Sequence, residues 1–145
     1  MSKSFGRFAP IISLMVVSVF VLTACGGASS AASGKAVDVQ VTLTDFTITS
    51  SLTTFSTGVP YHFTVTNKGA VSHQVVIMPP ESGQLTTDQV QKLMLAGIGG
   101  EGLAAGQTGT FDYTFTQPAP AGTLEFACHL AGHYDAGMHT PIVVK

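Results

Sequence analysis

The stretch FACHLAGHYDAGM, residues 126–138, carries Cys128, His133 and Met138 at intervals of five. It continues an alternating set, Leu124, Phe126 and Cys128. Cys128 is therefore expected at a strand end, on the face that points into a core, with a loop after it. A thiolate, an imidazole and a thioether make a soft donor set suited to copper in either oxidation state. Zinc accepts cysteine and histidine but has little use for a thioether. A fourth donor must come from elsewhere, and His73 is the candidate, because it opens the apolar run 73–78 directly after the loop 67–72. A buried cysteine alone reads as an inert core thiol, and a lone methionine as packing. Together at these spacings they read as ligands.

The rest of the chain supplies the scaffold. Val37, Val39, Val41 and Leu43 alternate with Asp38, Gln40, Thr42 and Thr44, the pattern of a half-buried strand with one wet face. Tyr61, Phe63 and Val65 alternate with His62, Thr64 and Thr66 up to the turn Asn67-Lys68-Gly69. The run 73–78 stops at Pro79-Pro80, Phe111, Tyr113 and Phe115 form another alternating set, and Pro141-Ile142-Val143-Val144 closes the chain. Short strands between Gly and Pro turns predict an all-β sandwich. One helical excursion interrupts it: Thr86 or Thr87 caps a helix with Val90, Leu93 and Met94 at helical spacing, ended by Gly97. The glycine-rich stretch 97–106 then leads back to a strand. Met78 and Met94 are expected in the core, and His62 and His139 on the surface. Alternation turns His129 away from the Cys128 face.

The N-terminus has a different character. Lys3 and Arg7 precede an apolar stretch at 11–22, the layout of a secretory signal. At about a dozen residues the stretch is too short to span ~30 Å of hydrocarbon as a helix. Leu22-Thr23-Ala24-Cys25 resembles the lipobox of bacterial lipoproteins. That resemblance implies cleavage after residue 24, lipidation of Cys25 and attachment to a membrane surface. Residues 25–36 then form a flexible tether of roughly 15–20 Å typical span, and the folded domain is expected over 37–145. Without 1–24, four basic residues face eight acidic ones. With Cys25 acylated, Cys128 is a lone thiol in an oxidising compartment, where it pairs, reacts or binds metal.

The strand-turn Val65-Thr66-Asn67-Lys68-Gly69 leading to His73, with the C-x4-H-x4-M loop, resembles the cupredoxins, the single-domain blue-copper family of plastocyanin, azurin, rusticyanin and auracyanin. The loop spacing is most like rusticyanin and auracyanin. The resemblance covers most of 37–145 and implies a Greek-key β-sandwich holding one type 1 copper. It makes His73, Cys128 and His133 trigonal ligands and Met138 the weak axial one. Two departures concern the loop: Ala131 stands where the family often has Pro, and His139-Thr140-Pro141 replaces the usual Gly soon after Met138.

Only 10% of residues are charged and no basic run occurs, which excludes a nucleic-acid partner. The motif Cys128-His129-x3-His133-x4-Met138 also resembles the last copper motif of multicopper oxidases. That family flanks its Cys with histidines on both sides, whereas position 127 is Ala and no His-x-His pair occurs. A binuclear copper centre needs two cysteines in the loop, and one is present. No hydrolytic triad, phosphate loop or paired carboxylate has supporting context, so no enzyme activity is expected. The expectation is a monomeric, membrane-tethered, extracytoplasmic carrier of single electrons. Its redox donor and acceptor would dock near His133, on Leu130, Ala131 and Leu103-Ala104-Ala105. A copper-delivery protein is the alternative.

Overall fold

Period-two alternation places Val39, Val41 and Leu43 of strand β1 (Val37–Thr44) and Tyr61, Phe63 and Val65 of β4 (Pro60–Asn67) on one buried face. The computed structural model describes residues 34–145; the leader, Cys25 and the tether up to residue 33 lie outside the described residues. Among the described residues no helix is long and apolar enough to cross a membrane. β1 and β4 pair in parallel, from Val37 opposite Tyr61 to Leu43 opposite Asn67. β2 (Thr47–Ser50) extends this sheet beyond β1, and β7 (Thr108–Thr114) beyond β4.

A second sheet has the order β3 (Thr54–Phe55), β9 (His139–Val144), β8 (Ala119–Ala127), β5 (His73–Met78), β6 (Ala96–Leu103). Both sheets are mixed, since β3 also runs parallel to β9. Their facing sides share one core, in which Phe55 packs edge-on against Tyr61 at 5.0 Å and tilted against Phe115 at the same centroid distance. Aromatic pairs at this spacing add about 0.5–1.5 kcal/mol beyond their buried area. The fold is thus the expected β-sandwich with a single short helix among the described residues.

All six residues of β5 are buried, and two layers explain it. Val75 and Ile77 face the sandwich core; Val76 and Met78 face outward into a second cluster with Val90 and Ala127. Helix α1 (Thr87–Leu93) supplies Val90 and so covers the outer face of β5. Its N-terminus carries a capping box: Gln89 N–H donates to the Thr86 hydroxyl, and Thr86 N–H donates to the Gln89 side chain. Met78 lies in this outer cluster and Met94 packs against it.

Two details differ from the sequence reading. The helix stops at Leu93, before Gly97, because Leu95 N–H donates to the Ile77 carbonyl and draws the chain onto β5 as a strand. Residues 97–103 of the glycine-rich stretch lie in that strand, β6, and 104–106 lead on to β7. A Cβ on Gly102 would collide with the His73 carbonyl oxygen, and one on Gly97 with that of Val75. Glycine lets β6 lie directly on the β5 backbone.

Candidate metal centre

His73 begins β5, and its parity with Val75 and Ile77 turns it toward the sandwich interior; Cys128 follows β8 with the same parity as Leu124 and Phe126. These adjacent strands bring a histidine and a cysteine far apart in sequence to one end of the core. The loop that follows returns His133 to the same place. His73 Nδ1 lies 3.2 Å from His133 Nδ1, and His133 Nδ1 lies 3.4 Å from Cys128 Sγ. One donor atom from each of the three residues falls within 4.8 Å of the other two. Metal bonds of about 2.0–2.3 Å, typical of nitrogen and sulfur donors, separate neighbouring ligand atoms by about 3.3–3.8 Å, close to the observed spacings.

Met138 closes the loop from the other side. Its N–H donates to the His133 carbonyl at 3.0 Å, and its carbonyl accepts from Cys128 N–H at 3.1 Å. The side chain is fully buried in the same core cluster as Cys128. All four residues singled out in the sequence therefore gather at one end of the sandwich.

The surroundings tune the three donors. Cys128 is 0% exposed. Burial pushes its thiol up from the ordinary value, while the backbone N–H groups of Gln74 and Leu130 act against this by favouring the thiolate. The Gln74 N–H stands 3.3 Å from Sγ. His73 is equally buried, whereas His133 is partly exposed and alone of the three donors reaches the surface. Burial, then the adjacent His73 ring, holds His133 below the ordinary imidazole value, with the Asp45 carboxylate opposing. An edge-on contact with Phe46, ring centroids 5.4 Å apart, flanks His133. Phe46 adopts φ 62, the left-handed region, which costs a non-glycine residue about 1–2 kcal/mol.

Four nearby residues were not anticipated. Gln74 is buried and crosses between strands and loop: its side-chain oxygen accepts from His129 N–H, and its amide donates to the Gly100 carbonyl. Asn67 holds the approach to His73, donating to the carbonyls of Val71 and Leu103 and accepting from Gly69 N–H, each at 2.8 Å. Asp45, in the two-residue turn between β1 and β2, places Oδ1 3.2 Å from His73 Nε2 and 3.0 Å from Ala70 N. That N–H and the imidazole hold its carboxyl below the usual value. Glu125 is buried on β8 and accepts from the Tyr134 hydroxyl at 2.7 Å, with His139 Nδ1 3.2 Å from its other oxygen. An Asn-x-Gly turn ahead of His73 is the one sequence signal for Asn67; the partners of Asp45, Gln74 and Glu125 depend on tertiary register.

The remaining histidines stand apart from the triad. His129 is buried and stacks on Tyr134 at 4.4 Å, and Tyr134 stacks on His139 at 4.6 Å. Neither ring nitrogen of His129 has a partner among the described residues, and burial holds it below its ordinary value. His62 lies on the polar face as expected, though with a cross-strand partner, its Nδ1 2.6 Å from Asp112 Oδ1. Leu103, expected at a docking rim, is instead a core residue, because it ends β6 facing inward.

No protein-family model matches the chain. It is 31% identical over 91 residues to "Copper-resistant cuproprotein CopI" of Rubrivivax gelatinosus, an alignment covering 61% of this chain and 53% of CopI. The chain thus spans about half the length of the curated relative it matches. Reduced auracyanin from Roseiflexus castenholzii superposes with a TM-score of 0.53 at 20% identity, over 77% of this chain and 99% of auracyanin. Rusticyanin from Thiobacillus ferrooxidans gives 0.54 at 21%, over 78% of this chain and 79% of rusticyanin. The fold is the cupredoxin fold. A buried thiol, two facing imidazoles and a buried thioether make a donor set that fits a single type 1 copper site.

Proposed function

We propose that this chain is a blue-copper protein that carries single electrons outside the cytoplasm, held at a membrane surface by lipidated Cys25 and the tether 25–36. The supporting observation is the convergence of His73, Cys128 and His133 around a fully buried thiol, with Met138 buried beside them. His73, Cys128 and His133 would hold the ion strongly and Met138 weakly. Bound copper would supply a one-electron couple.

The chain's own residues set the conditions for that couple. His73 and Cys128 are fixed at the ends of paired strands, so their positions belong to the sheet and shift little with a change of charge. The Gln74 N–H directed at Sγ and the apolar core around Cys128 tune the sulfur. His133 offers the path to solvent. Around it Phe46, Leu130 and Ala131 form an apolar rim on which a redox donor and an acceptor dock in turn, through small transient interfaces. The domain works as a monomer and performs no substrate chemistry.

The test is the visible and electron-paramagnetic spectrum of the full mature chain loaded with Cu(II), beside Cys128→Ser. An intense thiolate-to-copper band with narrow hyperfine splitting, lost in the variant, is expected. A pale spectrum indifferent to the substitution would refute the site. His133→Ala should open the site and upset electron exchange.

A second reading, copper handling for resistance or delivery, is favoured by one observation, the match to a copper-resistant cuproprotein. A closed set of four donors favours retention, so the carrier reading ranks first. Rapid transfer of Cu(I) to a competing chelator would reverse that order.

A further inference from the structure

The turn joining β1 to β2 belongs to the sheet that provides none of the four donors, yet it touches both histidines. Asp45 Oδ1 sits 3.2 Å from His73 Nε2, and the Phe46 ring meets His133. We infer that Asp45 is a positioning residue for the metal centre: its carboxylate holds the Nε2–H tautomer of His73, leaves Nδ1 bare toward Cys128 and His133, and places a negative charge behind the ligand. This deepens the copper-site reading and rests on it.

An ionised carboxylate only accepts hydrogen bonds. The imidazole nitrogen facing Asp45 must therefore carry hydrogen, and the opposite one is left with its lone pair. That opposite nitrogen is the one 3.2 Å from His133 Nδ1. A carboxylate behind a ligating histidine fixes the ring's tautomer and orientation and raises its basicity.

Two backbone features direct the carboxylate to this place. Ala70 N–H donates to the same Oδ1 at 3.0 Å, fixing it from the second side. At Gly69 a Cβ would come within 2.5 Å of Asp45 Oδ1 and 2.6 Å of His73 Nε2. Glycine is what leaves the contact room, and Asn67 pins this loop through Gly69 N–H and the Val71 carbonyl. Gly69→Ala is therefore expected to separate Asp45 from His73 with both residues still present.

The experiment compares wild type, Asp45→Asn, Asp45→Ala and Gly69→Ala as full mature chains, each checked for folding by circular dichroism. In metal-free wild type, nitrogen-15 spectra should show His73 as the Nε2–H tautomer. Asp45→Ala and Gly69→Ala should give a tautomer mixture and a 10–100-fold loss of Cu(II) affinity. Asp45→Asn keeps an acceptor but drops the charge. It should retain the tautomer while the ratio of Cu(II) to Cu(I) affinity falls about tenfold, equivalent to a rise of about 59 mV in potential for one electron.

A wild-type His73 with hydrogen on Nδ1 would overturn the inference whatever the metal does. So would variants that load copper with unchanged affinity and potential. A wild type with the Nε2–H tautomer but no thiolate-to-copper band would refute the copper site while upholding the Asp45–His73 contact.

Discussion

The Nδ1 atoms of His73 and His133 face each other at 3.2 Å, from positions 60 apart in the chain. With Asp45 accepting the Nε2–H of His73, the hydrogen between the two Nδ1 atoms belongs to His133 when no metal is present. An ion held by Cys128 and His133 would displace the thiol proton and leave the His133 hydrogen on Nε2. Metal binding and proton release are therefore coupled.

Because burial raises the Cys128 thiol, its proton is still in place at neutral pH and must leave when a metal binds. Cu(II) affinity should rise with pH, about tenfold per unit for each proton displaced. Calorimetric titration in buffers of different ionisation enthalpy counts those protons. Cys128→Ser should release one fewer; an unchanged count would show that the thiol is not deprotonated by the metal.

The Tyr134 hydroxyl is pushed up to about 12 by burial and by its bond to Glu125. The folded protein thus binds that proton more tightly than the unfolded chain. The stabilisation is complete below the ordinary tyrosine value of 10.0 and is lost as pH rises through about 12. Ultraviolet titration of the phenolate should locate the midpoint, and Tyr134→Phe should remove the extra pH sensitivity in that window. Near neutrality the same variant leaves Glu125 short of a donor and should cost about 1–3 kcal/mol in chemical denaturation.

Gly102 sits at φ 70, directly over the His73 carbonyl oxygen. Gly102→Ala combines backbone strain with a collision against β5 and should cost about 2–4 kcal/mol. Lifting β6 also loosens the strand that starts at His73. Cys128 in the metal-free variant should then react faster with a thiol reagent. Wild-type reactivity together with wild-type stability would contradict the close-packed account of β6.

Phe46→Gly relieves the left-handed strain but gives up the ring against His133, and its stability should stay within about 1 kcal/mol of wild type. Phe46→Val keeps a Cβ, adds branching and loses the ring, so it should be at least about 1 kcal/mol worse than the glycine variant. Thermal unfolding of both decides this. Equal midpoints would mean that the turn relaxes around either residue.

The parts legible beforehand were those written in local pattern. Alternation at 37–44 and 61–66 marked β1 and β4, Thr86 or Thr87 marked the start of the helix, and the spacing of Cys128, His133 and Met138 marked the site with His73 as its fourth member. β6 was not legible because a strand of Ala96-Gly97-Ile98-Gly99-Gly100 shows no hydrophobic period; it is defined by backbone packing on β5. β2 and β3 are four and two residues long, too short for a period to register. No local pattern singles out Asp45 or Glu125. Their partners His73 and Tyr134 are 28 and 9 residues away and meet them only through the sandwich and the ligand loop.

The segment from Cys128 to Met138 is a hoop closed by its own main chain: Cys128 to the Met138 carbonyl, Met138 to that of His133, His133 to that of Leu130, Ala136 to that of Gly132. Gly132 and Gly137 serve its bends at φ 77 and 94, conformations that favour glycine. Its three donor side chains are held without help from Ala131, Asp135 and Ala136, whose side chains face outward. Those three positions can change in charge and size while the ligands stay where they are. Selection for a new partner and selection for a constant redox centre can therefore act on one short loop without interfering with each other.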